Sequence, residues 1–125
     1  MTAYLIVALG SAIGGALRHG VNVGTARLVG NGWPYGTFTV NLLGSLVMGL
    51  IAGYFALRGT ASQRWLLFLT TGILGGFTTF SAFSLDVALL IERGRVTATV
   101  GYVLASVALS ISALFLGLAI VRRLS

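Results

Sequence analysis

The chain has 125 residues, eight of them arginine and two acidic, with no lysine and no cysteine. Charged residues make up 8% and hydrophobic residues 57%, and the mean hydropathy is +1.00; an average soluble protein is about 25% charged, so a water-soluble domain is excluded. Cysteine chemistry is excluded as well, the length holds a single domain over residues 1–125, and the net charge of +6 sits on arginines at helix ends rather than in a basic patch with stacking aromatics, which argues against nucleic acid.

The charges cut the chain into four uncharged runs, 1–17, 28–57, 65–85 and 96–121. About 20 apolar residues carry a helix across a bilayer, so four transmembrane helices are predicted, centred near residues 11, 46, 76 and 109. The first continues past Arg18, whose long side chain is expected to snorkel toward the headgroups. Met1 to Tyr4 contains no Arg or Lys, so the segment does not read as a signal peptide. Residues 20–32 are expected to form an interfacial linker or a short surface helix.

Asn31, Gly32, Trp33, Pro34, Tyr35 and Gly36 then supply breakers, and Pro is tolerated in a first helical turn. The second helix is therefore predicted from near Pro34 to about Leu57, with Trp33, Tyr35, Tyr54 and Trp65 near helix ends as aromatic-belt residues. Thr37, Asn41 and Ser45 recur every four residues and share one face. The third span contains Gly75 and Gly76 followed by Phe77, Thr78, Thr79 and Phe80, poor helix material at mid-membrane depth. A break there exposes carbonyls and amides, tolerable only inside protein, and such breaks are where transporters hold ions. Phe77, Phe80 and Phe83 recur every three residues, and the positive edges of aromatic rings can contact an anion; the same stripe also serves as ordinary packing. On the fourth span Tyr102, Ser106 and Ser110 share a face.

Two polar faces turned together would make a neutral, donor-lined track; interhelical hydrogen bonding, with Ser and Thr bonding back to their own helices, is the alternative use of the same residues. Gly10 with Gly14, Gly49 with Gly53, and Gly72 with Gly76 match GxxxG and support oligomerisation, with at least one pair expected to pack helices within the subunit. Catalysis finds little to use. Asp86 and Glu92 are the only carboxylate side chains and His19 the only histidine, and phosphate-loop and metal-cluster motifs are absent. His19 reads as interfacial, and Asp86 as a partner for an arginine, a helix cap or a proton carrier.

Arginine placement sets no orientation. Arg58, Arg64, Arg122 and Arg123 fall on one side of four spans, and Arg18, Arg27, Arg93 and Arg95 on the other. Either the chain inserts both ways round and pairs antiparallel, or it keeps a weakly biased single orientation. Arginines at both mouths concentrate anions.

The stretches Gly72 to Ser84 (GILGGFTTFSAFS), Gly36 to Gly44 (GTFTVNLLG) and Gly14 to Arg18 (GGALR) strongly resemble the Fluc fluoride channels, also called CrcB proteins, in motif order and over the whole chain. The resemblance implies an all-α membrane protein of the inner or plasma membrane, with four transmembrane helices and the third one broken. It implies a dual-topology, antiparallel homodimer exporting fluoride passively through two pathways between its subunits. By the same resemblance Asn41 lies along the pore, Phe80 and Phe83 line the ion path with their edges, and Ser106 and Ser110 belong to the polar track, with Tyr102 one turn earlier; Thr37 and Ser45, which share the face of Asn41, are read as further pathway residues. A structural sodium ion at the dimer centre is implied on the backbone carbonyls of Gly75 and Thr78. Asp86 stands where the family often has Glu. A small dual-topology multidrug exporter is the rival of similar size; proton-coupled export of cations wants a carboxylate in the membrane, and the first span has none.

Overall fold

The structure, a computed structural model, describes residues 1–58 and 62–124, all of its elements helical and none a strand. They are α1 (Thr2–Val29), α2 (Tyr35–Arg58), α3 (Gln63–Leu67), a π-helical turn, π1 (Phe68–Leu74), α4 (Gly75–Phe77), α5 (Ser81–Glu92) and α6 (Val96–Leu124). Four segments are long and apolar enough to cross a membrane: Thr2–Val29, Tyr35–Leu57, Gln63–Glu92 and Val96–Leu124. Residues 59–61, between the second and third spans, lie outside the described residues.

The expected linker over 20–32 is replaced by helix, because α1 runs unbroken to Val29. Gly20 and Gly24 do not end it. It stops at Gly30, which adopts φ 82 and whose N–H donates to the carbonyl of Ala26, a conformation that favours glycine. Pro34 then opens α2, its carbonyl accepting from the Phe38 N–H at 3.2 Å. Trp33 packs at this corner against Phe38 and Tyr102, with ring centroids 5.2 and 5.1 Å apart, and Arg95 donates from Nη1 to the carbonyl of Gly32. The turn from α5 to α6 uses the second left-handed glycine, Gly94 at φ 74.

Two close-packed pairs build the bundle: α2 lies along α6, and α1 lies against π1 and α4. All three GxxxG pairs serve these contacts within the subunit, where at least one pair was expected to do so. A Cβ on Gly14 would stand 2.0 Å from the Ile73 carbonyl oxygen, one on Gly76 2.5 Å from that of Ser11, and one on Gly49 2.1 Å from that of Leu114. Glycine is required because the backbones themselves touch. The fully buried side chains are few, led by Tyr102 and Val40. Large apolar residues such as Leu9, Leu104 and Phe115 are exposed, as suits helices whose solvent is hydrocarbon.

Candidate functional site

In the third crossing the helical backbone is wide at π1, ends at Phe77 and resumes at Ser81. Thr78 is extended, with φ −86 and ψ 159. Local chemistry holds these three intervening residues. The Thr78 N–H and hydroxyl both return to the Leu74 carbonyl at 2.9 Å, while the Thr79 hydroxyl accepts from the Ala82 N–H at 3.2 Å and helps start α5. The decisive partner comes from another helix. Asn41 of α2 accepts the Thr79 N–H on Oδ1 at 2.8 Å and donates from Nδ2 to the Thr79 carbonyl at 3.0 Å, so its amide supplies both bonds that a neighbouring strand would give.

Arg18 also serves this region. Its Nε donates to the Gly76 carbonyl at 3.2 Å, so the expected snorkelling toward the headgroups is replaced by a contact with the end of α4. The physical reason is that the final carbonyls of a helix lack intrahelical donors and attract cationic groups. The Thr78 carbonyl, by contrast, lies outside any helix and receives no backbone donor among the described residues, and the Gly75 carbonyl receives none from beyond its helix. Neutral carbonyl oxygens suit a hard monovalent cation, and the described residues contain no cluster of His, Cys, Asp or Glu that could hold a metal instead.

Beside the non-helical stretch a groove of about 330 Å³ runs between α2, α5 and α6. Asn41 and Ser45 line one wall, Thr78, Thr79, Phe80 and Phe83 a second, and Ser106 and Ser110 a third, with Met48, Leu74 and Leu114 among the apolar remainder. Phe80 and Phe83 stand 5.5 Å apart, tilted by 42°, and Phe80 is 78% exposed. Phe77 is not among the groove's lining residues: its ring lies against Gly44 at the groove's edge, and its backbone lies against Gly14. The Ser106 hydroxyl is buried and has no hydrogen-bond partner, an unusual state for a polar group away from water.

Two residues of the expected track stand outside the lining of this groove. Tyr102 is fully buried, its ring tilted by 45° against that of Phe83 with centroids 5.0 Å apart, and donates its hydroxyl to Asp86 Oδ2 at 3.0 Å. Asp86 thus takes a neutral donor where an arginine partner was one expectation. Thr37 is buried beside Tyr102 and lines a separate polar cavity of about 370 Å³, together with Asn22, Thr25, Asp86 and Arg93. Tyr102 and Phe83 therefore stand between the two spaces. Sequence reasoning missed this second cavity, the bracing of Thr79 and the use of Arg18. Only the Thr79 to Ala82 spacing, which resembles a helix-start signal, offered a local clue.

The chain is similar to known proteins over nearly all its length. The family described as CrcB-like protein, Camphor Resistance (CrcB) matches residues 5–118. A protein of Rhodopseudomonas palustris (strain BisB5) named "Fluoride-specific ion channel FluC" is 58% identical over 122 residues, covering 98% of each chain. "Fluoride-specific ion channel FluC 2" of Nitrobacter hamburgensis is 55% identical over 122 residues, again covering 98% of each, and the FluC of Caulobacter sp. (strain K31) is 53% identical over 125 residues, covering 99% of this chain and 98% of its own.

Proposed function

The chain belongs to the CrcB-like family, and from that premise we propose that it is a multi-pass membrane protein and a fluoride-specific channel, passing the ion out of the cytoplasm passively. The observation that carries the reading is the groove itself. Asn41, Ser45, Ser106 and Ser110 border it with neutral donors, Phe80 and Phe83 with ring edges, and among the described residues no carboxylate or arginine lines it. Fluoride is small and tightly hydrated, so a passage must replace its water with close donors and still release it. Hydroxyls, an amide and ring edges meet both demands. One amide hydrogen of Asn41 is committed to Thr79; the second remains for the passage. The unpartnered Ser106 hydroxyl is the other donor in waiting. The exporter alternative finds no support in the relatives' names or in the groove's chemistry.

Left alone, the groove would turn Asn41 and Phe80 toward lipid, and an exposed polar lining in hydrocarbon is costly. A second copy of the chain, antiparallel as the balanced arginines permit, covers it and gives two passages per dimer. The non-helical residues 78–80 then meet their counterparts near the dimer centre. There the carbonyls of Gly75 and Thr78 would hold a sodium ion, whose charge offsets the ends of two helices. Reporters fused to the C-terminus should be active on both sides of the membrane; activity on one side alone refutes the antiparallel pairing. The function is tested with purified protein in liposomes loaded with fluoride or chloride. Rapid fluoride efflux with chloride at the protein-free background is expected, and equal rates for the two ions would overturn the proposal.

A further inference from the structure

The arginines divide between the two ends of the bundle, but the carboxylate side chains do not. Asp86 and Glu92 both lie on α5, Asp86 on Tyr102 and Glu92 at the helix's last residue. The opposite end, where α1 and α3 begin, contains Arg64 and no acidic side chain.

At that end a groove of about 220 Å³ opens between α1 and the third crossing, lined by Ile6, Arg64, Trp65 and Phe68. Its walls are apolar apart from Arg64. The Trp65 and Phe68 rings meet edge to face, centroids 5.9 Å apart at 83°, and Trp65 is 61% exposed. Tryptophan settles at the level of lipid headgroups. The groove therefore combines an apolar slot with a guanidinium at headgroup depth, the polarity of one kind of molecule in its surroundings. Guanidinium matches phosphate with paired N–H donors, and basic pockets between transmembrane helices favour anionic headgroups.

We propose that this groove binds an anionic phospholipid, its acyl chain against Ile6, Trp65 and Phe68 and its phosphodiester on Arg64. The bound lipid bridges α1 and α3 at their outer ends. This rests on the bilayer placement of the helices and not on the ion carried, so a failed fluoride assay leaves it standing.

The chain has two tryptophans, and Trp33→Phe leaves Trp65 as the sole reporter. In phosphatidylcholine vesicles, a minority of chain-brominated phosphatidylglycerol should quench Trp65 with about fivefold stronger apparent association than brominated phosphatidylcholine, the preference one arginine gives near a membrane surface. Adding Arg64→Gln should bring the ratio to about one, whereas Arg123→Gln should leave it unchanged. Equal quenching by the two lipids, or a preference that survives Arg64→Gln, overturns the site. Quenching by neither lipid also overturns it and places Trp65 against a second copy of the chain. Trp33 packs on Tyr102, so the same question is put to the protein with both tryptophans by native mass spectrometry from mixed micelles. Retained phosphatidylglycerol should be lost in Arg64→Gln, and equal retention refutes the proposal.

Discussion

Asn41→Leu keeps most of the volume of the side chain and removes both of its bonds to Thr79, at 2.8 and 3.0 Å. Measured interhelical polar contacts in membrane proteins average about 0.6 kcal/mol and reach about 1.7. Thr79 lies between α4 and α5, outside either helical ladder, so its freed N–H and carbonyl find no helical replacement and the upper values apply. Two such contacts come to about 2–3 kcal/mol, roughly a 30-fold or greater loss in the folded-to-unfolded ratio. Titration with SDS in mixed micelles, followed by tryptophan fluorescence, reads this as a lower unfolding midpoint. Asn41→Asp separates the two bonds. An ionised carboxylate still accepts the Thr79 N–H but turns a second acceptor toward the Thr79 carbonyl, whereas a protonated one donates as the amide does. The folded state thus favours the neutral form, and the Asn41→Asp defect should shrink as pH falls while the Asn41→Leu defect stays constant. Fluoride efflux at neutral pH should fall far more in Asn41→Asp than in Ser45→Ala, which removes one hydroxyl among several in the groove. A wild-type unfolding midpoint in Asn41→Leu, or matching pH profiles in the two variants, would refute the role of the amide as a brace.

Phe80→Ile and Phe83→Ile retain apolar bulk and lose the positive ring edge, so fluoride efflux should drop about fivefold or more for a contact of about 1 kcal/mol while size exclusion shows the assembly intact. Phe77→Ile, outside the groove, should be milder; normal efflux in both groove variants would return the rings to packing alone. Gly14→Ala places a Cβ against the Ile73 carbonyl and should cost about 1–3 kcal/mol, whereas Gly15→Ala, with nothing within 4 Å, should leave the unfolding midpoint unchanged. Equal midpoints for the two variants would show that α1 does not lie this close to π1.

The number and order of the spans were legible in the sequence, because the bilayer sets a minimum length and excludes charge from it. So was the shared face of Thr37, Asn41 and Ser45, since helical periodicity is a local property. What each face meets was not legible. Asn41 and Thr79 are 38 residues apart and Arg18 and Gly76 are 58 apart; both pairings arise from how the helices cross, which no period records. The continuation of α1 to Val29 was misread because helix in this segment has no strong apolar signal, and its stop depends on the left-handed turn at Gly30. The glycine pairs could be read as close-contact positions, but their partners were decided only when α1 settled on π1 and α2 on α6. The three-dimensional packing likewise set Thr37 and Tyr102 apart from the groove that Asn41, Ser45, Ser106 and Ser110 border, because the corner at Trp33 and the ring of Phe83 close over Tyr102.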